Sequence, residues 1–150
     1  MKNLQNLIKL YPERDWRWDF LTVNKDVSLE FILKTKTQKK KDKTEFIFKW
    51  ELELILDHPN ITLDFIERNI KKFKWCMHGL SRIVTEEFHD RHPELDYIWG
   101  VGGMSNNPNI SYPFIKKYPD KDWDYSMYGL GINPNMGSEF FKSLGIYMSD

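Results

Sequence analysis

Alanine is absent from this chain, and cysteine nearly so, with Cys76 alone among 150 residues. A single thiol excludes an internal disulfide framework and fits a reducing compartment. Net charge is missing too. Basic and acidic residues number 22 each, so blanket adhesion to a polyanion is not the default expectation. No apolar run nears the length of a membrane span. The opening residues, Met1 to Asn6, carry neither the apolar stretch nor the small-residue cleavage site of a secretory leader. The expectation is an intracellular protein that is neither secreted nor membrane-bound. Arginine is scarce beside lysine, while Asn, Ile, Phe and Tyr abound. That set is encoded by A/T-rich codons, a statement about origin and not about function.

What is present is self-similarity. Trp16, Trp50 and Trp99 are each followed, at the same spacings, by an apolar residue (Leu21, Ile55, Met104) and a turn residue (Asn24, His58, Asn107). A second apolar residue (Val27, Ile61, Ile110), a hydroxyl residue (Ser28, Thr62, Ser111) and an aromatic–aliphatic pair (Phe31-Ile32, Phe65-Ile66, Phe114-Ile115) follow in turn. Trp75 and Trp123 open two further copies. The first lacks two residues in the turn and leads to Phe88-His89; the second carries two extra residues before Asn133-Pro134-Asn135 and leads to Phe140-Phe141. The N-terminus repeats the end of a unit: Leu7-Ile8 then Tyr11-Pro12-Glu13-Arg14-Asp15-Trp16 echoes Ile115 then Tyr118-Pro119-Asp120-Lys121-Asp122-Trp123. The chain therefore reads as one repeat domain, 1–150. A half unit covers 1–15, units begin near 16, 50, 75, 99 and 123, and a lysine-rich insertion occupies 34–43.

Each unit has local signals for helix, turn, helix. Asp15 and Asp122 stand as N-caps of a short first helix, and Asn-Pro marks the turn. Ser28, Thr62, Thr85, Ser111 and Ser138 stand where the second helix needs its cap. Glu30, Asp64, Glu86, Glu87 and Glu139 follow in the first turn, where the helix dipole favours acids. Phe141 to Gly145 predicts a last helix stopped by glycine. The apolar–charged alternation of Phe48 to Leu54 reads as a strand when taken alone; the repeat register favours helix. A unit of about two dozen residues cannot bury its own apolar face, so neighbours must stack. The expected fold is all-α, a small α-solenoid whose core positions are Trp16, Trp50, Trp75, Trp99, Trp123, Phe31, Phe65, Phe88, Phe114 and Phe140.

The pattern Trp…Ser-x-Asn-Pro-Asn-Ile-Ser/Thr-x-x-Phe-Ile…Pro-Asp-Lys-x-Trp is carried best by Ser105 to Trp123, then by Asn60 to Ile66 and Asn133 to Asn135. It resembles short tandem repeats of uncharacterised proteins from large nucleocytoplasmic DNA viruses. The resemblance implies a viral repeat protein, at work in the host cytoplasm or nucleus, and transfers no activity or functional residue.

Chemistry-bearing clusters are few. Cys76, His78, His89 and His92 are the sole metal-ligand set, but Cys-x-His is too tight for a zinc-finger arm and the second Glu-x-x-His of a di-iron site is missing. Gly100-Val101-Gly102-Gly103 lacks the strand and Lys-Ser/Thr of a phosphate loop. The Asn60 and Asn109 sequons are accounted for by the repeat turn and its cap. The insertion places six lysines against one acid between Lys34 and Lys43. Its bland reading is a solvated, mobile loop. Its sharper reading is a polyanion contact through Lys36, Lys39, Lys40 and Lys41, with Trp18, Tyr125 and Tyr128 as candidate stacking surfaces or, alternatively, core. No nucleophile–base arrangement stands out, and no cofactor is implied. The leading expectation is a non-enzymatic scaffold that binds another protein, viral or host. Nucleic-acid or polyanion binding through the insertion is second, and a metal site within 76–92 third.

Overall fold

The computed structural model describes residues 2–137 together with 140, 142 and 145. Among the described residues the secondary structure is helical, without a strand. The α-helices are α1 (Lys2–Leu10), α2 (Trp18–Thr22), α3 (Leu29–Thr35), α4 (Leu63–Arg68), α5 (Met77–Ile83), α6 (Glu86–Arg91) and α7 (Tyr112–Lys117). Leu52–Asp57, Met104–Asn106 and Leu130–Ile132 form 3-10 turns. The chain divides into two compact units, Met1–Trp75 and Cys76–Asp150.

Local capping starts α3, α4, α6 and α7. Ser28, Thr62, Thr85 and Ser111 have extended backbones, and their hydroxyl oxygens accept the amides of Phe31, Phe65, Phe88 and Phe114 at 3.0, 3.1, 3.1 and 3.4 Å. Each such cap contributes about 1 kcal/mol by satisfying an orphan amide of the first turn. Of the expected final helix and its cap, Ser138, Glu139, Phe141, Ser143 and Leu144 lie outside the described residues.

Asp15 and Asp122 do not cap helices. Arg17 precedes α2 without a side-chain bond, and the chain around Asp122 is not helical. At Asp122 the reason is competition for amides. After an aromatic residue, the next N–H goes to a fully buried hydroxyl of the preceding segment: Glu51 to Thr22 Oγ1 (3.0 Å), Ile98 to Ser81 Oγ (2.9 Å) and Asp124 to Ser105 Oγ (2.9 Å). That bond holds the backbone extended, so any helix must begin later.

In the first unit the core gathers Ile8, Trp18, Phe31, Ile32, Phe48, Trp50, Ile55, Phe65, Ile66 and Trp75, all buried. Trp50 stands edge-on to Trp18 at 5.0 Å and to Phe31 at 5.8 Å. Residues 48–50 keep the alternating burial of an extended chain, Phe48 and Trp50 in and Lys49 out, and the 3-10 turn follows at Leu52. In the second unit Leu80, Val84, Phe88, Tyr97, Met104, Ile110, Phe114, Ile115, Trp123, Leu130 and Phe140 are buried. Trp16 and Trp99 are only half-buried.

The half-burial of Trp99 has a cause. In three links an aromatic donor reaches a carbonyl five residues back: Trp16 Nε1 to Tyr11 O (2.8 Å), Trp75 Nε1 to Ile70 O (3.1 Å), Trp123 Nε1 to Tyr118 O (2.8 Å). In the link that precedes Trp99 the donor is the Tyr97 hydroxyl, 2.8 Å from His92 O. Tyr97 therefore holds the place assigned to Trp99. Counted from Tyr97, the residues Met104, Asn107, Ile110 and Phe114 fall at the same spacings as Leu130, Asn133, Met136 and Phe140 from Trp123. The two extra residues after Trp123 are thus shared by both copies.

Those residues form a tight loop. Met104 N–H returns to Ile98 O at 2.7 Å, and Leu130 N–H to Asp124 O at 2.8 Å. A Cβ on Gly103 would collide with the Ile98 carbonyl, and one on Gly129 with the Asp124 carbonyl. Gly103 and Gly129 are thus there for close backbone approach, and Gly102 for its φ of 80°; the first helix of these copies shrinks to a single 3-10 turn.

Candidate functional site

The lysine-rich insertion is a closed hairpin. Lys39 and Phe46 form an antiparallel bridge. Lys40 N–H donates to Glu45 O at 2.9 Å, Ile47 N–H to Gln38 O at 2.9 Å and Lys43 N–H to Lys40 O at 2.8 Å. The turn is completed by Lys43 at φ 59° and by the Asp42 carboxylate accepting Thr44 N–H at 3.1 Å.

Beside the hairpin lies a cleft of about 690 Å³ rimmed by Lys36, Lys39, Lys43 and Lys49, with Phe46, Phe48 and Trp50 in its wall. Of the lysines singled out in the sequence, Lys36 and Lys39 line it. Lys36 Nζ also donates to Lys72 O at 3.0 Å and stands 5.1 Å from the centre of the Phe73 ring, while Lys39 stands 5.4 Å from that of Phe46. Lys40 is committed elsewhere, to Glu13 at 3.1 Å and to Glu45, and Lys41 is exposed outside the lining. Lys43 and Lys49 belong to the rim and had not been singled out. Lys49 follows the insertion, and only the return of the hairpin brings it back. The hydrogen bond from Lys40 holds the Glu45 carboxyl below its ordinary range. At the other side of the cleft, Glu51 is pushed up by its hydrogen bond and proximity to Glu53.

The histidine-bearing segment does not assemble a metal centre. Among the described residues no three His, Cys, Asp or Glu side chains gather as ligands. Cys76 is exposed. His92 packs on Phe88 with ring centres 4.9 Å apart. His89 is 2% exposed and ringed by Tyr97, Trp99, Phe114 and Tyr118 at 4.9 to 5.4 Å. Aromatic packing, with Asp90 at 3.1 Å from Nδ1, occupies the imidazole.

Asp90 is the polar centre between α6 and α7. It accepts the Tyr118 hydroxyl at 2.7 Å and Lys117 Nζ at 3.2 Å. These bonds, Tyr118 first and His89 next, draw its carboxyl down to about 2. The arrangement ties helices together.

The turn residues have a structural role that sequence reasoning did not assign. Asn107 Nδ2 donates to Ser81 O (2.9 Å) and Val84 O (2.8 Å), and Asn133 Nδ2 to Ser105 O (3.1 Å) and Asn107 O (2.9 Å). Their side-chain oxygens accept the amides of Asn109 and Asn135. His58 does both jobs with one ring: Nδ1 accepts Asn60 N–H at 3.0 Å and Nε2 donates to Val27 O at 2.7 Å. The Asn109 amide, read as a sequon, donates to Ile83 O at 3.1 Å.

A last surface is apolar. Val101, Met127, Tyr128 and Ile132 are 47, 67, 69 and 66% exposed, on or beside the two glycine loops, with Tyr125 alongside. Tyr125 and Tyr128 are thus exposed and Trp18 buried. Asn106 Nδ2 donates to Tyr128 O at 3.0 Å and so joins the loops.

Comparison with protein-family models, curated proteins and solved structures returned no match to this chain. Among the described residues no helix is long and apolar enough to cross a membrane.

Proposed function

We propose that the chain is a non-enzymatic scaffold, a short α-solenoid of helix–turn–helix units of viral type, that binds another protein, viral or host, through the glycine loops of residues 98–132. The observation that carries this reading is the repetition of exposed apolar side chains. Val101 and Met127 stand at the same position, three residues before the buried Met104 and Leu130, and Tyr128 and Ile132 extend the second loop. Side chains of this size gathered on adjacent exposed loops are characteristic of surfaces that a partner covers. Aromatic residues and methionine are also enriched at such interfaces. Rigid loop closure supports the reading, because an ordered surface loses little entropy on docking.

The test is affinity capture from host cells with three full-length proteins: wild type, Met127→Asp/Tyr128→Ser, and a chain lacking residues 34–43. A protein retained by wild type and by the deletion, and lost by the double variant, is the expected result. Capture of nucleic acid alone, lost on deletion, would sink it.

A further inference from the structure

We propose that the cleft between the lysine hairpin and Phe48 to Leu52 binds a nucleotide, free or at the end of a single-stranded nucleic acid. This site lies on other elements than the protein-binding loops and does not depend on them.

Size is the first argument. A volume of about 690 Å³ lies in the range that holds a small organic ligand. Charge is the second. Lys36, Lys39, Lys43 and Lys49 rim the opening and outnumber the two carboxylates in its lining, Glu45 and Glu51. Lys40, outside the lining, holds both Glu13 and Glu45, and Asp42 is turned to the Thr44 amide. Lys43 and Lys49 form no ion pair among the described residues. Both are exposed, and Lys49 is near enough to Glu45 to help hold its carboxyl down, so the rim offsets that carboxylate and still presents positive charge to an anion. The hydroxyl residues Thr37 and Thr44 line the same wall and add neutral donors for phosphate oxygens.

The third argument is the ring. Phe46 is 43% exposed within the cleft wall, and the Lys39 ammonium lies over it. A partly exposed ring beside ammonium groups suits a nucleobase that stacks while its phosphate reaches the rim. Glu51 lines the cleft as well and supplies an acceptor for an exocyclic amine. A bare polyanion would need the lysines alone; the ring makes the site selective for a base. The hairpin's backbone bonds hold both parts at fixed separation.

Isothermal titration of the full chain with AMP, with a short single-stranded oligonucleotide and with inorganic phosphate, at low and high salt, decides the matter. Saturable binding of AMP or the oligonucleotide, weakened by salt and tighter than that of phosphate, is expected. A tighter oligonucleotide identifies the polymer as the source, and equal affinities the free nucleotide; both outcomes support the site. Lys43→Glu/Lys49→Glu should weaken binding roughly tenfold or more by reversing two charges that face phosphate. Phe46→Ala should weaken AMP binding and leave phosphate binding unchanged. All three side chains are exposed, so the variants keep the fold, and circular dichroism checks this. Absence of saturation at millimolar AMP, affinity indifferent to the lysine reversals, or phosphate bound as tightly as AMP would each overturn the proposal.

Discussion

Replacing His58 tests the reasoning about the turn most directly. The ring is 1% exposed and both nitrogens are used. A backbone amide can only donate, so Nδ1 must be the acceptor and Nε2 must carry the proton that reaches Val27 O. Val27 immediately precedes the cap Ser28, as Val84, the acceptor of Asn107, precedes the cap Thr85. His58→Leu keeps the volume roughly constant and deletes both bonds. Two hydrogen bonds at about 1 kcal/mol each, plus about 1 kcal/mol for a carbonyl left unpaired beside the buried Val27, sum to roughly 3 kcal/mol. Asparagine restores an acceptor and a donor in the arrangement that Asn107 uses. His58→Asn should therefore cost about 1 kcal/mol, mainly for the space the ring leaves. Urea unfolding, followed by tryptophan fluorescence with m-values compared, measures both. Equal losses for Leu and Asn would refute the argument, because they would show that packing, and not the paired hydrogen bonds, is what position 58 supplies.

Two further outcomes follow from the packing. Tyr97→Phe removes the hydroxyl that spans to His92 O and should destabilise the chain by about 1 kcal/mol in thermal unfolding; an unchanged midpoint would return the link to Trp99. Asp90, drawn down to about 2 by Tyr118, His89 and Lys117, contributes stability that is present above the ordinary aspartate range and lost as pH falls toward about 2. Solvent screening at this partly exposed group limits the contribution to on the order of 1 kcal/mol. Asp90→Asn should therefore flatten the loss of stability between the ordinary aspartate range and about pH 2, and an unchanged acid profile would count against the network.

What was legible in the sequence was local. A serine or threonine placed three residues before the phenylalanine that opens the recurring pair specifies a helix start because cap and first turn lie within four residues of each other, and Ser28, Thr62, Thr85 and Ser111 cap as read. All-helical character followed from the same signals. The register at Tyr97 was not legible, since a tryptophan two residues away matched the spacing as well, and what distinguishes them is a hydroxyl meeting a carbonyl across a link. Asp122 misled because a cap needs free amides, and here the competing acceptor, Ser105, sits in another segment. The cleft depended on tertiary structure altogether: lysines apart in the chain face one space because the hairpin returns on itself, and one of them, Lys40, is withdrawn into ion pairs. The sequence by itself determined where helices begin and which aromatic pairs recur. Tertiary structure decided which side chains are free to act, because exposure and charge pairing depend on neighbours that no local window contains.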